Sequence, residues 1–113
     1  MAKVYLANSF SLNMFDYLES KEYLIKIRKI DEDFAKEILI NENVESCIGH
    51  KETSLFLSKK LDIKIGYNRK EIKLKKGDKV LVCQIMCRLK EGQILSEKEL
   101  EKIPINWLLV EIL

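Results

Sequence analysis

The chain has 113 residues, which suits one domain and leaves no room for a separate accessory module. Apolar residues make up 47% and charged residues 34%, a globular balance that excludes disorder, collagen-like repeats and a disulfide scaffold. The net charge of +2 is too small to imply a long phosphate-binding footprint, so any anion site must be local and long nucleic acid is not the expected partner.

In chain order, Lys3 to Ala7 reads as a short strand, and Asn8 to Ser11 supply capping residues for a short helix over Leu12 to Leu18. Tyr23 to Ile27 reads as a second strand. Asp31 is the expected N-cap of a helix from Glu32 to about Leu39, with Phe34, Ala35 and Ile38 on one face. Val44 to Ile48 is a third strand, ended by Gly49 and His50, and Lys51 to Leu61 follows with helical periodicity. Arg69 to Leu74 and Lys79 to Cys87 read as a hairpin across Lys75-Lys76-Gly77-Asp78, whose glycine can take a positive φ. Ser96-Glu97-Lys98-Glu99 matches a capping box, Pro104 stops that helix, and Trp107 to Ile112 is the last strand. The expected class is α/β: a single domain over residues 1–113, with a mixed sheet of about five strands flanked by helices.

Val80 to Cys87 is apolar on both faces, as in a central strand covered from two sides. Alternation sets Gln84 and Arg88 on one face toward the end of that strand, and a buried glutamine there would need partners. The cysteines, Cys47, Cys83 and Cys87, are odd in number and read as reduced core residues. On a strand, Cys83 and Cys87 would stand ~13 Å apart, too far to share a zinc ion. No stretch approaches the ~20 apolar residues of a membrane span and Met1 to Ala7 lacks a secretory apolar run, so a cytoplasmic protein without membrane partner is expected.

His50 is the only histidine, the one side chain whose intrinsic pKa of ~6.5 suits proton exchange near neutrality. Its bland reading is an N-cap or first-turn residue. In the sharper reading, Gly49-His50 lies between a strand and a helix, where free backbone N–H groups attract phosphate and Thr53 offers a hydroxyl one turn on. Asn8, Ser9 and Ser11 form a second polar strand-to-helix loop, readable as capping or as part of the same carboxyl-edge crevice. Arg88-Leu89-Lys90-Glu91-Gly92 is a solvated turn or a cation and carboxylate facing that crevice. Metal catalysis lacks a ligand cluster, and no Gly-x-Ser-x-Gly elbow or Walker loop is present. What remains is RNA-type cleavage, in which the substrate's own 2′-hydroxyl attacks its phosphate and the protein supplies orientation, charge and a proton.

The stretches Val4-Tyr5-Leu6-Ala7-Asn8-Ser9-Phe10-Ser11-Leu12-Asn13-Met14, Ile48-Gly49-His50, Asn68-Arg69 and Arg88-Leu89-Lys90-Glu91-Gly92-Gln93-Ile94-Leu95 resemble the viral ring nucleases. That anti-CRISPR family destroys cyclic tetra-adenylate, the second messenger of type III CRISPR defence. The resemblance implies His50 as general acid, Glu91 as its orienting or protonating partner and Arg88 as the charge-balancing group at the scissile phosphate. It also implies Asn8, Ser11, Asn13, Thr53, Arg69 and Gln84 around the ligand, in a pocket formed by two subunits of a homodimer. Linear di-adenylate with a 2′,3′-cyclic phosphate would form without metal or other cofactor. Glu52 departs from the family pattern, where a small hydroxyl residue is usual, and a carboxylate pointing inward there would repel phosphate. Two other readings stand beside this one: a dimer that sequesters a cyclic nucleotide or RNA end without turnover, and a small structural or partner-binding protein.

Overall fold

The computed structural model describes residues 2–86 and 97–113. Five strands, β1 (Val4–Ala7), β2 (Ile25–Ile30), β3 (Val44–Ser46), β4 (Lys79–Ile85) and β5 (Ile105–Ile112), form one sheet in the order β2-β5-β4-β1-β3. β1 lies parallel to both β3 and β4, with Tyr5 opposite Glu45 and Val80. β5 runs antiparallel to both β4 and β2, so the sheet is mixed.

Helix α1 (Glu32–Asn41) begins where expected: the Asp31 carboxylate accepts the Phe34 backbone N–H at 2.8 Å, and Glu32 and Asp33 complement the helix dipole in the first turn. Helix α2 (Lys51–Leu61) ends in a left-handed Asp62, a conformation that aspartate tolerates better than most residues. Both helices pack on one face. Ala35 and Ile38 of α1 join Phe56, Leu57 and Leu61 of α2 over Leu6, Leu81, Cys83, Trp107 and Leu109 of the sheet. Each fully buried leucine there contributes ~1.5–3 kcal/mol relative to an exposed one. A third helix, α3 (Glu97–Lys102), precedes β5.

The opposite face is covered differently. Phe10, Met14, Phe15, Tyr23, Cys47, Ile72 and Leu74 close over Tyr5, Ala7, Val80, Val82, Val110 and Ile112. The expected helix over Leu12 to Leu18 is only a single 3₁₀ turn, Leu12–Met14. Phe15 leaves that turn extended and buried, its ring 4.8 Å from that of Tyr23 and 5.7 Å from that of Phe10. Burying Phe15 outweighs continuing the helix, and Tyr23, drawn into the same aromatic cluster, lies outside β2.

Arg69 to Leu74 is not a strand and no hairpin forms. β4 already has β1 on one edge and β5 on the other, so no ladder position is left beside it. The segment keeps its alternation, with Ile72 and Leu74 buried and their neighbours exposed, but it spends that pattern on covering the sheet, touching Phe15 through one isolated bridge. Gly77 takes the expected positive φ, 95°, and Asp78 N–H closes the turn on the Lys75 carbonyl.

Candidate functional site

The carboxyl ends of the parallel strands β1 and β3 feed two loops that meet in an open cavity of about 280 Å³. Asn8, Ser9, Asn13 and Met14 come from the loop after β1; Cys47, Gly49 and His50 come from the loop after β3; Arg69, Lys70, Glu71 and Ile72 come from the segment between α2 and β4. The place is the one expected of a ligand site in an open α/β sheet, outside the carboxyl ends of neighbouring strands.

His50 is the N-cap residue of α2 by position, yet its side chain makes no capping hydrogen bond. Its backbone carbonyl accepts from Ser54 N–H at 3.1 Å, while the exposed imidazole helps to line the cavity. The helix is therefore held without using the ring. Gly49 lets the chain pass close to Arg69: a methyl group added at Gly49 would stand 3.4 Å from Arg69 Cγ. Arg69 is in turn carried by Asn68, whose N–H donates to the Ile48 carbonyl at 2.9 Å and whose Nδ2 donates to the Ser46 carbonyl at 2.9 Å.

Electrostatics beside the cavity centre on Glu45 and Lys70, which meet at 2.9 Å. The hydrogen bond from Lys70 holds the Glu45 carboxyl below its usual range, and the same bond raises the Lys70 ammonium. Burial raises the Cys47 thiol and pushes Cys83 up to about 12, so both buried thiols stay protonated near neutrality. Neither has the thiolate character of a nucleophile.

The structure thus brings His50, Arg69, Asn8 and Asn13 together around one cavity. It does not bring the other described candidates with them. Ser11 caps the 3₁₀ turn, its hydroxyl accepting from Asn13 N–H at 3.2 Å. Thr53 is buried within α2 and does not line the cavity. Gln84, expected beside the ligand, is exposed and does not line the cavity, because the covering layer ends over Val80 and Val82; its Oε1 accepts from Asn106 Nδ2 across the β4–β5 ladder at 3.1 Å. Arg88 and Glu91, with Cys87 and Ser96, lie outside the described residues. Glu52 does not line the cavity, whereas Glu71 does. Lys70 and Glu71 went unnoticed in the sequence because they sit in a segment read as one strand of a hairpin. Among the described residues, no helix is long and apolar enough to cross a membrane.

Fold and cavity together define a small α/β protein with a polar crevice at the carboxyl edge of a mixed sheet. The STIV B116-like family model matches residues 4–107, and the chain belongs to that family. The B116 protein of Sulfolobus turreted icosahedral virus superposes with a TM-score of 0.81 at 31% identity, over 97% of this chain and 99% of that one. Uncharacterized protein 26 of Sulfolobus islandicus filamentous virus is 36% identical over 110 residues, covering 96% of this chain and 91% of the relative. The match extends to a bacterium: protein YddF of Bacillus subtilis is 37% identical over 79 residues, 68% of this chain and 73% of its own.

Proposed function

We propose that this chain is a metal-independent ring nuclease that binds cyclic tetra-adenylate and cleaves it, antagonising type III CRISPR signalling. The observation that carries the reading is His50: an exposed imidazole, unused in capping its helix, lining the same cavity as Asn8, Asn13 and Arg69. In the proposed reaction a ribose 2′-oxygen attacks the adjacent phosphorus and the bond from phosphorus to the 5′-oxygen breaks. The 2′-hydroxyl gives up its proton to solvent water, His50 protonates the departing 5′-oxygen, and the products carry a 2′,3′-cyclic phosphate and a free 5′-hydroxyl. Arg69, and the dipole of α2 at the helix start that follows His50, favour the phosphate charge. Arg88 and Glu91 complete the proposed catalytic set, balancing charge on the phosphate and orienting or reprotonating His50.

The size of the cavity supports a dimer. At about 280 Å³ it falls short of the ~300–1,000 Å³ typical of pockets for drug-sized ligands, so a ring of four nucleotides overfills one protomer. Two copies of the cavity related by a twofold axis suit a symmetric ring. Ile25 and Ile27 are exposed on the sheet face that also carries Gln84, a surface that a second copy of the chain would cover. Gln84 enters a shared pocket only through such pairing.

The test is incubation of the purified protein with cyclic tri-, tetra- and hexa-adenylate in the presence of a chelator, followed by separation of products. Linear adenylates ending in a cyclic phosphate are expected from the tetramer. Recovery of intact, tightly bound ring would instead establish a sequestering protein, and absence of binding would remove the nucleotide reading altogether.

A further inference from the structure

Between Leu61 and Lys79 the chain crosses the carboxyl end of β3 without joining the sheet, and short polar contacts hold it there. Ser46 Oγ donates to the Gly66 carbonyl at 2.7 Å. Two residues on, Asn68 bonds twice, through its N–H to the Ile48 carbonyl and through its Nδ2 to the Ser46 carbonyl, each at 2.9 Å. Two residues further, Lys70 pairs with Glu45. Residues 66, 68 and 70 are thus pinned in alternation to 45, 46 and 48. Arg69 falls between two pins, with its Cγ lying over Gly49, the neighbour of His50.

We propose that Asn68 is a positioning residue of the His50 cavity, clipping this segment to the end of β3 so that Arg69 is held over Gly49, and acting on a phosphate-bearing ligand only through Arg69. The substrate rests on the ring-nuclease reading; the clip itself rests on the geometry alone. Of the pins, Asn68 is the one that fixes backbone to backbone and side chain to backbone at once. The Lys70–Glu45 pair is an exposed ion pair of two flexible side chains and constrains the chain less. Without the Asn68 amide, Arg69 samples more positions in the free protein, and ordering it again weakens binding.

The test compares Asn68→Ala, Arg69→Ala and the double variant, measuring KM and kcat for cyclic tetra-adenylate and, in parallel, the urea midpoint and backbone amide exchange. Removing a charge-assisted phosphate contact costs roughly tenfold or more in affinity, so Arg69→Ala is expected to raise KM by about that factor. Asn68→Ala should raise KM several-fold with little change in kcat, and the double variant should be no worse than Arg69→Ala, the non-additivity of residues acting through one another. Ser46→Ala, which loosens the same clip from the other side, should reproduce a smaller KM effect if Asn68→Ala proves too unstable to assay. Effects that multiply in the double variant, or a loss confined to kcat or to stability, would overturn the proposal. The Asn68 amide should exchange slowly in the wild type and faster in Ser46→Ala; rapid exchange in the wild type would show that no clip exists. If the wild type neither binds nor cleaves the ring, the ring-nuclease reading fails, and the exchange rates still decide whether the clip is real.

Discussion

The two faces of the sheet are buried by different means. On one, α1 and α2 lay Ala35, Ile38, Phe56, Leu57 and Leu61 over the strands, so burial comes from regular elements that satisfy their own backbone. On the other, a 3₁₀ turn, an aromatic cluster and a non-sheet segment supply Phe10, Met14, Phe15, Ile72 and Leu74 one residue at a time. Irregular backbone must find hydrogen-bond partners individually, and Asn68, Ser46 and Asp78 serve that need. The cavity opens beside the irregular cover, where Met14, Cys47 and Ile72 belong at once to the core and to the cavity wall. The loop-covered face thus carries the side chains of the His50 cavity, which a ligand can reach.

The sharpest way to break that division is to remove the proposed general acid. His50→Ala touches neither core cluster, so cleavage should fall by ~10²- to 10⁴-fold while the urea midpoint and ring binding stay near wild type. Unchanged turnover in a single-turnover assay would overturn the mechanism. The next effect separates the faces by stability. Leu57→Ala, in the fully buried middle of the helix-covered core, should cost ~2–5 kcal/mol in urea unfolding and leave KM unchanged. Ile72→Ala, within the loop cover itself, should fall at the lower end of that range because the irregular cover can settle into the space, and it should raise KM as well. Equal stability losses with equal, unaltered KM would erase the distinction.

How much of this was legible in the sequence follows the same division. Asp31 and the periodicity after it marked α1, and Lys51–Leu61 was read with the bounds that the structure gives, because helix signals are local. Strand partners are not local. Nothing in Arg69 to Leu74 says that β4 has no vacant edge, and its two-residue alternation is the same whether the partner is a ladder or an aromatic cluster. Whether Gln84 is covered was not legible for a related reason: the apolar run before it marks a central strand, but not how far along that strand the cover extends. His50 was visible as the only imidazole, and its place at a strand-to-helix junction followed from Gly49. That its ring is left out of the cap is a matter of side-chain direction, which only the structure supplies.

A smaller effect tests the helix-covered face alone. Asp31→Ala removes the carboxylate that accepts Phe34 N–H at the start of α1 and should cost about 1 kcal/mol, with catalysis untouched because α1 contributes nothing to the cavity wall. A matching change in KM would mean that α1 is coupled to the site through the sheet.

The smallest effect is expected from Glu45 and Lys70, and its pH dependence has a definite sign. The Lys70 hydrogen bond lowers the folded Glu45 pKa beneath its ordinary 4.5, so the pair's contribution is complete above that value and is lost as pH falls through the depressed one. The Lys70 pKa is raised above its ordinary 10.5, so the contribution is also complete below that value and is lost as pH rises through the raised one. Between those limits the pair contributes a constant amount, kept small by the exposure of both side chains. The difference in urea midpoint between wild type and Lys70→Ala should therefore be flat across neutral pH and shrink toward zero as the pH falls below 4.5 and through the depressed Glu45 value. Because the pair is one pin of the irregular cover, loss of the difference in acid should leave the Leu57→Ala penalty unchanged; a penalty that fell in step with it would tie the two faces into one unit.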